Sequence, residues 1–382
     1  MWNEAARPFL KSSQLVVLGV VQEQHAERAR LYAQWRQYSW PLAQDAVTSL
    51  NLASVPIAIL IDEHGVVRSR KPRPSGLAEF VNTKFEAPKK PTKSKKFRAE
   101  FSDRTVSKVV AAGDKSLMWG QDDAALNDAI KSYARALRQA SGRGKILFRL
   151  GVAYRTRFDS AGAQPGDFGK AVKNWTAALG ADPNQYIWRR RIQQYGPRQN
   201  KPYPFYDWVD PAIAEIKARG ETAIELRVAL SGAETAPPFR KFVMAASDSI
   251  EPDPKGRVTR DEGLIAMTWT VVPAKVKAGQ PVRVHIRMTP VQGKWNNEGD
   301  PLRIWIAKNS IGMTSQRQIE FKNPKEAESD ETRVLEFEFS TPARVHKCVI
   351  KGYALYHTCV NKDGRCVYRR QDFSMEVPLL PR

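Results

Sequence analysis

The chain has 382 residues, a net charge of +21 and 42% apolar residues, enough for about two or three domains with a core each. Its three cysteines exclude a scaffold stapled by disulfides and leave room for one functional pair, while the charge favours contact with nucleic acid, lipid headgroups or acidic proteins. No stretch is apolar for long enough to span a bilayer, and no small-residue cleavage site of a secretion signal follows the apolar run 15–21.

Residues 14–21 are nearly all apolar over a length too short for a globular helix, which predicts a central parallel strand covered on both faces. Ala29, Tyr32, Trp35 and Tyr38 then recur at helical spacing over 26–38. Val55-Pro56 precede the apolar run 57–61, Asp62 to Gly65 read as a turn, and 66–68 as the return strand of a hairpin. Ser75 is the expected cap of a short helix over 76–85 that carries Leu77, Phe80 and Val81 on one face.

This order of strand, helix, hairpin and helix, with Val-Pro directly before an apolar strand, resembles the thioredoxin-like redoxin family. The resemblance implies a cis bond at Val55-Pro56 bordering a substrate groove, with the backbone of Val55 open to an extended peptide. The residues alone also fit a trans proline opening a strand. The chain departs from the family in having no cysteine before Cys348, so the redox dithiol is missing and this domain is expected to be redox-silent. The strand that the fold sets between 15–21 and 57–61 is missing too, because 2–10 read as a helix remnant interrupted by Pro8. Apolar strands with unpaired backbone are costly, which leads to the expectation that the natural protein extends further upstream.

Lysines between Lys89 and Lys96, with Pro91 and Arg98, make an aperiodic basic run that reads as a linker. Arg189-Arg190-Arg191 fall within a helix, on its solvated surface. Neither cluster has the spacing of a nucleic-acid motif.

Leu147, Leu150, Gly151 and Tyr154, followed by Ala171, Trp175, Ala178, Leu179 and Pro183, resemble the two helices of a tetratricopeptide repeat, with an insertion at 159–166. Ala129, Tyr133, Ala136 and Leu137 fit the second helix of a preceding repeat, and 186–195 a closing helix. Such a pair either offers a groove for a peptide or partner protein, lined by Arg149, Arg155 and Arg157, or serves as a spacer with little concave surface. The proline- and aromatic-rich run 201–208 is expected to pack irregularly on the helices.

From Val258 the pattern changes to period two. Val282, Val284, Ile286 and Met288 alternate with Arg283, His285 and Arg287; Leu302, Ile304 and Ile306 alternate with Arg303 and Trp305; Leu335, Phe337 and Phe339 alternate with Glu336 and Glu338. With Phe373, Met375 and Val377, this predicts an antiparallel sandwich of about seven strands, immunoglobulin-like by pattern. Trp295-Asn296-Asn297-Glu298 is either a ligand-binding cluster or a well-capped turn.

One hairpin carries chemistry. Residues 353–359 read as a strand, 361–364 as turn residues and 365–368 as the return strand, so that Cys359 faces Cys366. Opposed residues have Cα atoms about 4.5–5.5 Å apart, within the span a disulfide tolerates. Lys362, Arg365 and His357 are expected to favour thiolate and exchange. The hairpin resembles the N-terminal domain of the DsbD family, an immunoglobulin-like module of envelope disulfide reductases, and the match is sharp over 356–368. By that resemblance Cys359 and Cys366 are the catalytic pair; which of them attacks is left open. A structural cystine is the alternative, and a zinc site from Cys359, Cys366, His357 and His346 a third, short of the usual Cys-x-x-Cys spacing. Cys348 is expected to be a buried core thiol.

The expectation is a multidomain α/β, α and β chain. A partial thioredoxin-like fold spans 1–87, a basic linker 88–102, a short TPR-like helical segment 103–220, a connecting segment 221–257, and a C-terminal antiparallel immunoglobulin-like β-sandwich 258–382. Its expected function is that of a thiol-disulfide exchange or redox-associated protein, an oxidoreductase if active, with its chemistry at Cys359 and Cys366, a protein disulfide or dithiol as partner, and Val55 and Pro56 as a substrate-binding element. A non-catalytic scaffold with a structural cystine is the rival. No metal, cofactor or nucleic-acid partner is expected, and the resemblance favours a periplasmic or cell-envelope location.

Overall fold

The computed structural model describes residues 1–50, 52, 55–88, 101–120, 122–140, 143–239, 250–307, 313–314, 317–360 and 365–380. The basic run 89–98 and the hairpin turn 361–364 lie outside the described residues. Helix and sheet are mixed: α1 (Trp2–Lys11), β1 (Gly19–Val21), α2 (Ala26–Trp35), β2 (Leu42–Gln44), β3 (Leu60–Ile61), β4 (Val67–Ser69) and α3 (Leu77–Asn82) come first. A helical stretch follows, with α4 (Arg104–Trp119), α5 (Asp123–Gln139), α6 (Arg143–Phe158), α7 (Asp167–Ala181), α8 (Tyr186–Tyr195), α9 (Val209–Ala218) and α10 (Gly232–Thr235). The C-terminal strands are β5 (Ile265–Val272), β6 (Pro281–Pro290), β7 (Lys294–Asn296), β8 (Arg303–Ile306), β9 (Met313–Thr314), β10 (Gln318–Glu320), β11 (Glu328–Ser329), β12 (Arg333–Ser340), β13 (Cys348–Val360) and β14 (Arg365–Val377). The chain divides into two units, one of residues 1–159, 178–189 and 208–229, the other of 160–177, 190–207 and 230–382.

In the first unit the apolar run at 14–21 does not become a central strand. Only Gly19 to Val21 pair, in parallel with β2, and Val16 and Leu18 are 89% and 61% exposed. The hairpin forms, but its ladder is confined to Leu60↔Ser69 and Ile61↔Val67. Its turn is fixed by Asp62, whose carboxylate accepts from the amides of His64 and Val66 and from Arg68 Nε. The Val55-Pro56 bond is cis. Ser75 does not cap a helix; it lies in a 3₁₀ turn, Pro74–Gly76, that leads into α3. The helix at the N-terminus runs on through Pro8.

The helices of this unit follow their apolar spacing. Asp103 and Asp122 cap α4 and α5 by accepting from backbone amides in the first turn. Val106 and Val110 of α4, Ala129, Tyr133 and Ala136 of α5, and Ile146, Leu150 and Ala153 of α6 form one core. A Cβ on Gly113 would lie 2.7 Å from the Tyr133 ring, so the bare glycine lets α4 and α5 close. Arg149, Arg155 and Arg157 are buried and line no open groove. They meet Asp114, Asp159 and Asn127 respectively, because a cation inside a core needs a partner.

In the second unit the alternating residues build two antiparallel sheets around one core. The first runs β5-β6-β12-β9; the second runs β10-β8-β13-β7-β11, with β14 on the other edge of β13. Val282, Val284 and Ile286 face Phe339, Phe337 and Leu335 along β6 and β12, and with Met288 they pack with Ile304, Ile306, Ile350, Phe373, Met375 and Val377. Cys348 joins this core, as expected, and its thiol pKa is raised by burial. Arg283 and His285 of β6, and Trp305, sit on the face that alternation assigns to solvent, yet they are covered. Arg283 ion-pairs with Glu336 and Glu338, and His285 Nε2 lies 2.9 Å from the carbonyl of Tyr195. Arg191 is likewise buried, its guanidinium 6.0 Å from the Trp175 ring. The 295–298 cluster is a capped turn: Asn296 Oδ1 accepts from the amides of Glu298 and Gly299, while buried Trp295 donates to the carbonyl of Glu331.

Candidate functional site

The two ends of one sheet face differ. Along β13 and β14 the register pairs Tyr353 with Asp372, Leu355 with Arg370, His357 with Tyr368 and Cys359 with Cys366. Directly opposed residues share a face and every second residue returns to it, so all eight project from the side away from the core. At one end Trp305, Tyr353 and Leu355 pack under Val258. There Arg370 lies 3.6 Å over the Tyr353 ring and is held by Asp253 at 2.8 Å. The cysteines occupy the other end.

Cys359 and Cys366 are joined as a disulfide with Cα atoms 3.9 Å apart, closer than the spacing expected for opposed residues. Their exposure differs: Cys359 is buried and Cys366 exposed. What buries Cys359 is β7, whose Lys294 lies opposite Cys359 and whose Trp295 lies opposite Thr358. The Thr358 hydroxyl donates to the carbonyl of Lys294 at 2.8 Å. A Cβ on Gly293 would stand 2.7 Å from the carbonyl oxygen of Cys359, so only glycine admits this backbone approach.

The groups around the sulfurs differ from the expected ones. Arg365 opposes Val360 and so projects from the other face, and Lys362 lies outside the described residues. His357 shares the face, but its ring is 4.4 Å from that of Tyr368 and burial lowers its pKa, with Asp300 opposing. It therefore supplies little charge at neutral pH. Among the described residues, Lys294, opposite Cys359, brings a cation to the pair, its Nζ 4.0 Å from Glu328 Oε2. Glu328, opposite Asn296 on β11, brings a carboxylate oxygen and both sulfurs within 4.8 Å of one another. Neither His357 nor His346 belongs to that group.

Sequence reasoning found the cysteines but missed Lys294 and Glu328. They reach the site across β7 and β11, strands of three and two residues that leave no periodicity to read. Val55 and Pro56 lie in the first unit, with Val55 exposed; the cysteine pair lies in the second.

No family model matches this chain, and no curated protein matches it. Among solved structures, the chain is similar to Spo0M, a sporulation control protein from Bacillus subtilis, at 9% identity and a TM-score of 0.18. The match covers 31% of this chain and 51% of that one, so the chain spans about half of Spo0M. A likeness of that size carries no argument. Among the described residues no helix is long and apolar enough to cross a membrane.

Proposed function

We propose that Cys359 and Cys366 are a thiol-disulfide exchange centre on an immunoglobulin-like module similar to the DsbD N-terminal domain. In this reading the protein belongs to the cell envelope, residues 1–87 are a redox-silent partial thioredoxin-like domain, and the TPR-like segment within 103–220 is a spacer. Burial of Arg149, Arg155 and Arg157 supports the spacer, and exposure of Val55 supports a peptide-binding role for the Val55-Pro56 element.

The observation that carries the proposal is a bonded, directly opposed pair with one sulfur-bearing residue exposed and the other buried. A partner thiolate attacks Sγ of exposed Cys366, a new bond forms between them, and Cys359 leaves as thiolate. The partner's second thiol then attacks its own sulfur in the mixed disulfide, freeing Cys366. The partner ends as a disulfide, and two electrons and two protons have passed to this chain. The reverse reaction uses the same sulfurs in the opposite order.

The test is a reduction potential measured in glutathione buffers, together with trapping. Cys359→Ser is expected to hold a partner or small disulfide through Cys366, whereas Cys366→Ser, left with the buried sulfur, traps far less. A potential below about −300 mV, or no adduct from Cys359→Ser, would leave a structural cystine on a binding scaffold.

A further inference from the structure

We propose that reduction of the Cys359–Cys366 bond turns the same corner of the sheet into a site for a thiophilic divalent cation of the zinc class, with Cys359, Cys366 and Glu328 as ligands. The inference shares one premise with the exchange reading, that the pair can be reduced, and needs no protein partner.

Position comes first. The two sulfurs and a carboxylate oxygen of Glu328 lie within 4.8 Å of one another, and they come from β13, β14 and β11 of a single sheet. Hydrogen-bonded strands fix all three residues, so little ordering is left for the ion to impose. In a tetrahedral zinc site with Zn–S bonds near 2.3 Å the sulfurs stand roughly 3.7 Å apart, a separation that breaking the bond permits across an opposed pair.

Donor chemistry selects the ion. Two thiolates and one carboxylate suit borderline-soft cations, whereas calcium and magnesium take oxygen ligands throughout. Three protein ligands leave a fourth position for water. Exposed Cys366 and Glu328 face solvent while Cys359 is buried, which gives the ion a side from which to enter.

Charge fits as well. Two thiolates, a carboxylate and a divalent ion sum to one negative charge, and the Lys294 ammonium, 4.0 Å from Glu328 Oε2, offsets it. Lys294 stands where an outer-shell partner of the carboxylate commonly stands at metal sites.

Oxidation closes the site, because a disulfide offers no thiolate. For opening, a dithiol reductant supplies two electrons and two protons and becomes a disulfide itself, while the Cys359–Cys366 bond breaks to two thiols. Binding of the cation then sends the two thiol protons to solvent.

The experiment titrates cobalt(II) into the full chain, treated with a dithiol under anaerobic conditions and freed of reagent. Thiols are counted first under denaturing conditions; full reduction gives three, one for each cysteine in the sequence. The expected result is a thiolate-to-cobalt charge-transfer band saturating at one ion per chain, abolished by excess zinc and lacking in the oxidised protein. Cys359→Ser should at least halve the band, and Glu328→Gln should weaken binding about tenfold or more while leaving the thiol count unchanged. A fully reduced chain without the band, or with a band indifferent to Glu328→Gln, overturns the metal site and leaves the exchange reading standing. A thiol count that stays at one after dithiol treatment overturns both.

Discussion

Lys201 shows how much a single side chain decides. Its amine is buried and donates to the carbonyls of Gln194 and Ala233 at 2.7 and 2.6 Å, and two N–H groups are what a neutral amine has to give. Burial, with the nearby charge of Arg283, brings its pKa down from 10.5 to about 7. The unfolded chain therefore holds this proton at pH values where the folded chain has released it, so stability should rise as pH climbs from about 7 towards 10.5. Urea denaturation across that range is expected to show the rise, and Lys201→Met to flatten it; a wild-type profile without slope there would refute the neutral amine. At Gly293 the argument is steric. Since an added Cβ meets backbone 2.7 Å away, Gly293→Ala should cost about 1–3 kcal/mol and alter the reduction potential of the pair, both read from one set of denaturation and redox titrations. At this scale the sequence exposed the sulfurs, because opposed positions in a hairpin can be counted along the chain. It hid Glu328 and Lys294, because nothing local couples residue 328 to residue 359.

The sheet face of β6 and β12 is the element where pattern and environment part. Alternation marked Val282, Val284, Ile286 and Met288 as core, and they are buried. The same alternation marked Arg283, His285, Glu336 and Glu338 as solvent-facing, yet Arg283, His285 and Glu338 are buried and the Glu336 side chain is largely covered. A period of two separates the faces but does not tell whether the polar one is later covered. Phe168 does part of the covering, its ring 5.2 Å from that of His285. Burial alone would raise the Glu336 pKa, but His285 and Arg283 overcome it and bring it from 4.5 to about 2. A depressed carboxylate contributes stability that is present above pH 4.5 and lost as pH falls towards 2. Acid unfolding is expected to draw on the order of a few kcal/mol from this group, and Glu336→Gln should remove that share of the pH dependence while lowering stability at neutral pH, where it leaves the buried Arg283 with Glu338 as its one remaining carboxylate of the two. If the acid limb of the variant superimposes on that of the wild type, the ion pairs are not what holds this face. In the first unit the failure runs the other way. The apolar run at 14–21 carries the composition of a buried strand, yet pairing needs a neighbour, and among the described residues only β2 supplies one.

At the scale of the whole chain, charge and chemistry are separable, and that separation can be measured. A net +21 acts through long-range attraction to any polyanion and fades as salt shortens the screening length. The exchange centre acts through bonds between sulfurs, which salt scarcely touches. Three of the arginines expected to line a peptide or partner groove, Arg149, Arg155 and Arg157, are buried and unavailable to a large ligand. What remains is surface charge without a spaced reading motif, so binding to heparin or mixed-sequence nucleic acid should be weak, indifferent to sequence and steeply reduced between roughly 50 and 200 mM salt. It should be the same in the chain lacking both Cys359 and Cys366. Thiol exchange with a small disulfide should keep its rate within about twofold over that salt range, provided the reagent is uncharged. Polyanion affinity that survives high salt or prefers one sequence would point to a built nucleic-acid site, and its loss on removing the cysteines would tie the charge to the redox centre after all.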